Sequence, residues 1–129
     1  MTTELRGAVY SLAVARRGAK LINGKRFASV AEHGSLRLLC SLPVTPNDQI
    51  PHEQDELYVV VQGTGVLFHA GRREAFATGD AMFIAASAEH HFEDFTDDVA
   101  VWVTFYGPRG ASGVRQPHKI KEIVPFSLV

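Results

Sequence analysis

The sequence predicts an all-β fold, a sandwich or barrel of antiparallel strands, for this chain of 129 residues. Turn-forming residues recur about every eight to ten positions between about residues 43 and 107, and short β-branched or aromatic runs separate them. This spacing is typical of antiparallel sandwiches and barrels. No stretch in the same span repeats its apolar residues with a helical period. We therefore expect strands, not helices, to build the core.

The part of the chain before Pro43 contains one predicted short helix. Ser11 stands where an N-cap is expected, ahead of Leu12–Arg17, and Gly18 ends the helix. An edge strand is the alternative for this segment. The other elements predicted here are a short strand at Ala8–Tyr10, strands at Phe27–Ala31 and Ser35–Leu42, and a turn at Glu32–Gly34.

The part after Pro43 alternates between turns and strands. A loop rich in breakers, Pro43–Asp48, leads to a strand within His52–Gly63. The later predicted strands are Val66–His69, Glu74–Ala77, Ala81–Ala85, His90–Phe95 and Val99–Tyr106. The tail from Val114 is rich in large apolar residues, which would be costly to expose, so we expect it to pack on its own domain or on a partner subunit. These residues include Ile120, Ile123, Val124, Phe126 and Leu128.

Composition excludes several classes of partner. The net charge is −1 and 46% of the residues are hydrophobic, as in a soluble globular protein. Five basic residues between Arg16 and Arg26 predict a basic surface, but without interleaved aromatics or a recognition helix we expect no nucleic-acid partner. No apolar run reaches membrane-spanning length, so we expect no membrane partner. The single cysteine, Cys40, is expected to be buried and inert, and the chain is expected to be cytoplasmic.

Three potential metal ligands stand near the starts of two predicted strands. His52 and Glu56 flank one start, and His90 begins another. In a closed barrel, two such starts can face each other across the mouth. Two imidazoles and one carboxylate suit Fe(II) and related divalent ions, and zinc accepts the same set. His69 is a more remote candidate for an additional ligand, and the histidines expected at the surface are His33, His91 and His118.

Two segments resemble the motifs of the cupin superfamily. His52-x3-Glu56-x6-Gly63 is similar to the second half of the first motif, Gly-x5-His-x-His-x3,4-Glu-x6-Gly. Gly79 and His90 match the second motif, Gly-x5-Pro-x-Gly-x2-His-x3-Asn, at the right spacing. The resemblance covers about residues 35–106 and is to small single-domain bacterial cupins with a Cupin_2-like conserved barrel. It implies a jelly-roll β-barrel and a single cupin domain over residues 1–129.

The first motif departs from the family pattern at one ligand position. Ile50 stands where the motif has its first histidine, and an isoleucine side chain cannot bind a metal. Gln49 beside it can offer a weak oxygen ligand or a supporting hydrogen bond. The usual set of four ligands therefore shrinks in this chain to His52, Glu56 and His90.

The second motif departs in its turn. Ala85 and Ser87 replace the Pro and Gly of the motif, and Asp94 replaces its Asn. The fixed φ of proline and the permissive φ of glycine are both lost, so we expect a looser turn. No metal ligand is lost, because His90 remains.

Alternation along the strands assigns the neighbours of these ligands to two faces. If Glu56 points into the barrel, every second residue after it does too, and Phe92 follows His90 inward. We therefore predict a mostly apolar small-molecule pocket with a polar mouth, lined by Tyr58, Gln62 and Phe92. The residues of the first strand that then face outward are Leu57, Val59 and Val61.

The resemblance and the ligand set together favour a metal-dependent enzyme. A bound divalent ion (Fe, Mn, Zn or Ni) would act as Lewis acid or redox centre on a small molecule, in a dioxygenase, isomerase or lyase type of reaction, with Glu56 as a candidate base. The alternative is a non-catalytic small-molecule binding or sensing cupin that has lost its metal. A sugar-nucleotide epimerase type is disfavoured, because no phosphate-binding basic strand is recognised inside the barrel. Cupins of this size commonly form homodimers, so we expect a homodimer.

Overall fold

The computed structural model describes residues 6–47 and 49–109. The predicted packing of the tail from Val114 and the surface position of His118 lie outside the described residues. Within the part of the chain that is described, no helix is long and apolar enough to cross a membrane.

The one helix of the described residues, α1, spans Leu12–Gly18, and the predicted helix is confirmed. The Ser11 hydroxyl caps it by accepting a hydrogen bond from the Val14 amide at 3.3 Å. The predicted strand at Ala8–Tyr10 is wrong. These residues pair with no strand, and Val9 is 97% exposed, so nothing buries its apolar side chain.

Nine strands follow within the described residues, and all their pairings are antiparallel. The larger sheet has the order β1-β2-β3-β9-β4-β7 and the smaller sheet β6-β5-β8, so the all-β prediction is confirmed. Strand β1 is not among the predicted strands because all three of its residues are exposed and no burial pattern marks it. In chain order the strands are β1 Lys20–Ile22, β2 Lys25–His33, β3 Leu36–Ser41, β4 Asp55–Gln62, β5 Gly65–His69, β6 Arg72–Phe76, β7 Ala81–Ile84, β8 His90–Glu93 and β9 Ala100–Tyr106.

The main core lies between the two sheets. Val60 and Val101 of the larger sheet and Phe92 of the smaller sheet are each at most 3% exposed and belong to one buried cluster. A second cluster forms on the outer face of the larger sheet, where Ala15 of α1 covers Cys40. Burial raises the pKa of the Cys40 thiol, which supports the prediction of an inert cysteine.

A glycine fixes the end of β4, the strand between β9 and β7. Gly63 has a φ of 90°, in the region that favours glycine. A Cβ atom there would lie 2.6 Å from Thr96 Oγ1 and 2.7 Å from Val99 Cα, so no larger residue fits without moving the backbone. The chain can therefore turn tightly from β4 into the smaller sheet, which sets that sheet against the inner face of the larger one.

Candidate metal centre

Strand β4 carries the centre of the site on its inward face. Glu56 is 1% exposed and Tyr58 is 3% exposed, although their neighbours along the strand are exposed. A carboxylate buried this far is costly unless cations or strong donors surround it. The contacts of Glu56 therefore define what the site can do.

Two residues outside β4 bring imidazoles to this carboxylate. His52 lies in the loop before β4, and His90 is the first residue of β8. The Ser87 amide donates to the His52 carbonyl at 2.7 Å, and the Ala86 amide donates to Asp55 Oδ1 at 2.9 Å. These bonds fasten the turn between β7 and β8 to the chain around His52, which couples the positions of the two histidines.

The same turn forms without the glycine of the motif. Ser87, at that position, has a φ of 68°, in the left-handed region. This conformation costs a serine roughly 1 kcal/mol. Besides the Ser87 bond to His52, the Ala88 amide donates to the Ala85 carbonyl at 3.1 Å, so backbone bonds hold the turn.

The three predicted ligands lie together. His52 Nε2 is 3.2 Å from Glu56 Oε1, and His90 Nε2 is 3.0 Å from Glu56 Oε2. One ligand atom from each residue falls within 4.8 Å of the other two. Glu56 Oε1 is buried and has no hydrogen-bond partner among the described residues, because the close contact with His52 lacks hydrogen-bond geometry.

Hydrogen bonding orients the ring of His90. Its Nδ1 is 3.0 Å from the Ala88 carbonyl, which can only accept, so Nδ1 carries a proton and Nε2 faces Glu56. Burial lowers the pKa of His90, but the hydrogen bonds to Glu56 and Ala88 and the charge of Glu56 outweigh it and raise the pKa overall. The ring is thus held with Nε2 aimed at the carboxylate.

His52 has a different environment. Its side chain is 31% exposed, and its ring meets the Phe105 ring edge-on at 4.9 Å between centroids. Burial lowers the pKa of His52, and the charge of Glu56 only partly opposes this. His52 is therefore the imidazole that favours the neutral form, which is the form that binds metals.

Tyr58 adds a phenol to the same cluster. Its hydroxyl lies 3.1 Å from Glu56 Oε2, 3.1 Å from His90 Nε2 and 3.3 Å from Gln49 Oε1. One hydroxyl has one proton, so it cannot donate to all three neighbours at once. Burial, followed by the charge of Glu56 and the bond to it, raises the pKa of Tyr58 well above its ordinary value. The phenol therefore stays protonated and acts as a donor at neutral pH.

This donor set fits a divalent metal ion. With the proton of His90 on Nδ1, Nε2 and Glu56 Oε2 are two acceptors 3.0 Å apart, and they attract each other only through a cation or proton between them. Ligand atoms bound at about 2.1 Å to one metal lie roughly 3 Å apart, as both histidine–glutamate pairs do. The orphaned Glu56 Oε1 would also gain a partner. Two imidazoles and a carboxylate suit Fe, Mn, Zn or Ni.

A cavity of about 250 Å³ opens beside these residues. It lies along the inner face of β2, β3, β9 and β4 and is closed at one side by Phe92 and the loop before β4. Tyr58 and Phe92, two of the three predicted pocket residues, line it, as do His52 and Glu56. Apolar side chains supply part of the remaining walls, among them Phe27, Leu39, Val44, Val103 and Phe105.

Gln62, the third predicted pocket residue, does not line this cavity, and that prediction is wrong. Its pairing with β9 shifts by one position after Val60, at an irregularity in the ladder. The alternation that runs through Glu56 and Tyr58 therefore breaks before Gln62. Its side-chain oxygen instead accepts a hydrogen bond from Arg16 of α1. The more remote ligand candidate, His69, lies on the smaller sheet, where its Nε2 is 2.7 Å from Glu74 Oε1.

The structure adds polar residues that the sequence reasoning missed. Asn47 Oδ1 accepts from the Phe92 amide and from Gln49 Nε2, both at 2.8 Å, which fixes Gln49 beside Tyr58. The basic residues Lys25, Arg26 and Arg37 also line the cavity, and the sequence reasoning named none of them as pocket residues. Alternation along β2 and β3 could have identified the basic residues Lys25 and Arg37, because every second residue of a strand faces the same side. It places one set of residues from β2 and one set from β3 on the same face of the sheet. The two sets are Lys25, Phe27, Ser29 and Arg37, Leu39, Ser41.

Comparison with known proteins agrees with the fold described above. The sequence model of the Cupin domain family matches residues 42–106. An uncharacterized protein of Streptomyces coelicolor is 33% identical over 64 residues, which are 50% of this chain and 61% of that protein. The matched region thus spans less than two thirds of that relative.

Solved structures share the fold at low sequence identity. A Cupin 2 conserved barrel domain protein from Salinispora arenicola superposes with a TM-score of 0.60 and 16% identity, over 83% of this chain and 91% of that chain. KdgF from a Halomonas species has a TM-score of 0.58 and 22% identity, over 67% of this chain and 82% of its own. At these identities the likeness concerns the fold alone.

Proposed function

This chain belongs to the cupin family, and on that premise we propose that His52, Glu56 and His90 bind one divalent metal ion at which a small molecule reacts. The proposed activity is of dioxygenase, isomerase or lyase type, and the proposed ion is Fe, Mn, Zn or Ni. When bound, the ion supplies Lewis-acid or redox chemistry.

One observation carries the proposal: a carboxylate that is 1% exposed sits between two imidazole Nε2 atoms, with one oxygen unpartnered among the described residues. A cluster kept only for stability would satisfy each buried oxygen with a donor, because an unsatisfied buried acceptor costs about 1–3 kcal/mol. Three convergent acceptors beside a cavity are instead the arrangement that a metal ion completes.

The groups around the three ligands have separate roles in this proposal. The Ala88 carbonyl holds the His90 ring through Nδ1, and the Tyr58 hydroxyl donates to the ligand cluster. Apolar walls around the cavity exclude water from the small molecule. Glu56 stays the candidate base, since it is the one carboxylate that lines the cavity among the described residues.

A second candidate is a non-catalytic cupin that binds or senses a small molecule without metal. The observation that favours it is Ile50, which replaces the first motif histidine and is 68% exposed. The cavity and its polar residues would then serve recognition alone.

Elemental analysis of protein purified without chelator separates the two candidates. We expect about one equivalent of metal in the wild type and less than about a tenth of that in His52→Ala and in His90→Ala, because each substitution removes one of three ligands. His69→Ala is the matched control, since His69 pairs with Glu74 on the other sheet, and it should keep its metal. Trace metal in the wild type that neither His52→Ala nor His90→Ala lowers would contradict the metal site. The non-catalytic cupin that binds a small molecule would then be the remaining candidate. If metal is present, oxygen-consumption screening separates dioxygenase from non-redox chemistry.

We also propose a cytoplasmic homodimer. Leu57 and Val59 of β4 and Phe83 of β7 are 45%, 38% and 45% exposed on the outer face of the larger sheet. A cluster of exposed apolar residues on a sheet surface is a common feature of subunit interfaces. The single, buried Cys40 supports a reducing compartment.

A further inference from the structure

The cavity beside the ligand cluster is unusually cationic. Three basic residues line it, Lys25, Arg26 and Arg37. Among the described residues, one acidic residue lines it, Glu56. None of the three basic side chains forms an ion pair with a described residue. Their charges are therefore not neutralised by the protein around the cavity, and a divalent ion at the ligand cluster would add to the positive potential.

Arg37 is held in place with donors to spare. Its guanidinium lies over the Phe105 ring at 4.4 Å, and its Nη2 donates to Gln54 Oε1 at 3.3 Å. Gln54 is itself fixed, because its Nε2 donates to the Ser35 and Gly107 carbonyls at 2.9 Å each. The Nε of Arg37 is buried and has no partner among the described residues.

Such a guanidinium is prepared to bind an oxyanion. Arginine carries five N–H donors in a planar fork that matches a carboxylate, and Gln54 uses one of them. Because stacking on Phe105 and the bond to Gln54 already restrict the side chain, little conformational entropy remains to be lost on binding. The arrangement is that of a binding residue, whereas a solvated surface arginine would lack both restraints.

Lys25 and Arg37 form what we call the cationic end of the cavity. This end is close to the ligand cluster of His52, Glu56 and His90. The Phe105 ring that supports Arg37 also meets the His52 ring at 4.9 Å between centroids. Lys25 and Arg37 line the same cavity as the ligands His52 and Glu56. A single small molecule can therefore reach both ends of the cavity.

We infer that the ligand of this cavity is a small organic carboxylate whose carboxylate group is bound by Lys25 and Arg37. The inference rests on the proposed function for the metal end, while the cationic end stands on its own contacts. The cavity of about 250 Å³ is smaller than the roughly 300–1,000 Å³ of drug-sized sites, and its walls are largely apolar. These features favour a compact molecule with an apolar body over inorganic phosphate.

Calorimetric titration with matched probe pairs tests the inference. Benzoate and succinate are compared with their neutral amides, benzamide and succinamide, and with inorganic phosphate, on metal-loaded and on chelator-treated protein. We expect at least one of the two carboxylates to bind about tenfold or more tightly than its amide, since a charge-assisted hydrogen bond is replaced by a neutral one. This comparison uses the wild type and so does not depend on the folding of any variant.

Substitutions then assign the preference to residues. Lys25→Gln and Arg37→Gln should each weaken carboxylate binding about tenfold or more and leave amide binding unchanged. Arg72→Gln is the matched control, because Arg72 is exposed on β6 and does not line the cavity. Equal affinity for acid and amide, tighter binding of phosphate than of either carboxylate, or no binding by any probe up to about 10 mM would overturn the inference.

The two proposals fail separately in this design. Protein that contains no metal but prefers carboxylates through Lys25 and Arg37 would remove the metal proposal and keep this inference. Protein that contains metal but binds acids and amides equally would do the reverse.

Discussion

The two faces of strand β4 invert the usual distribution of polar and apolar residues. On the inward face, Glu56 and Tyr58 are 1% and 3% exposed. On the outward face, Leu57 and Val59 are 45% and 38% exposed. Burying a carboxylate and exposing aliphatic side chains are both unfavourable unless something else compensates. The inversion supports the two proposals that the inward face binds a metal ion and its ligand and that the outward face binds a second subunit.

The largest expected effect concerns the outward face. Changing Leu57 and Val59 together to lysine should raise the dissociation constant of the proposed dimer about 100-fold or more, equivalent to about 3 kcal/mol, because each subunit would bring two charges into the interface. Sedimentation velocity measures the change. The matched control is Leu21→Lys, on exposed strand β1 at the far edge of the sheet. A monomeric wild type, or a dimer that survives the double substitution, would break the interpretation of this face.

A second comparison contrasts two valines on opposite faces. Val60→Ala should lower the free energy of unfolding by about 2 kcal/mol, because a side chain that is 1% exposed loses two methyl groups and leaves a cavity. Val59→Ala should cost less than about 1 kcal/mol, in the range of strand propensity. Urea denaturation at a protein concentration low enough to dissociate the proposed dimer measures both. Equal losses at the two positions would contradict the assignment of faces.

A third prediction tests the phenol on the inward face. Tyr58→Phe keeps the ring beside Phe92, at 5.4 Å between centroids, and removes only the hydroxyl. We expect metal affinity to fall about tenfold, because Glu56 loses the hydrogen bond that the phenol donates to it. Tyr106→Phe, on the outward face of β9 and 65% exposed, should leave the affinity unchanged. If both substitutions behave alike, the phenol has no role at the cluster.

The smallest effect concerns pH in chelator-treated protein. The pKa of His90 is raised above 6.5, so its contribution to stability is present below the unfolded value and is lost as pH rises through the folded pKa. The pKa of His52 is lowered below 6.5, so its contribution is present above the unfolded value and is lost as pH falls through the folded pKa. NMR titration of the ring protons should therefore find His90 titrating at higher pH than His52. The opposite order would contradict the assigned environments.

The fold was largely predictable from local pattern. Runs of β-branched and apolar residues bounded by turns predict strands β4 and β9, and Ser11 indicates the start of α1. Strand β1 could not be predicted, because three exposed residues leave no alternation to detect. Gln62 shows the limit of alternation, since a shift in pairing along the ladder is decided by the partner strand and not by the sequence of β4.

The site was predictable only where residue type indicates chemistry. Histidines and a glutamate at motif spacing pointed to His52, Glu56 and His90, and the structure brings these three together. Arg37 and Gln54 give no such signal, because their importance arises from contacts with β9 and with the carbonyl of Gly107 far along the chain. Alternation along β2 and β3 could place Lys25 and Arg37 on one face of the sheet, but the contacts that hold Arg37 depend on long-range packing, which only the structure shows.

The central claim is that Glu56 is buried in order to bind a metal ion. Calorimetric titration of Zn²⁺ and Mn²⁺ into chelator-treated Glu56→Gln and Glu53→Gln tests it directly. Glu53 is three residues earlier in the chain and exposed, so its substitution removes the same charge without touching the cluster. We expect Glu56→Gln to lose about 100-fold or more in affinity and Glu53→Gln to match the wild type. Equal affinities in the two variants would contradict it.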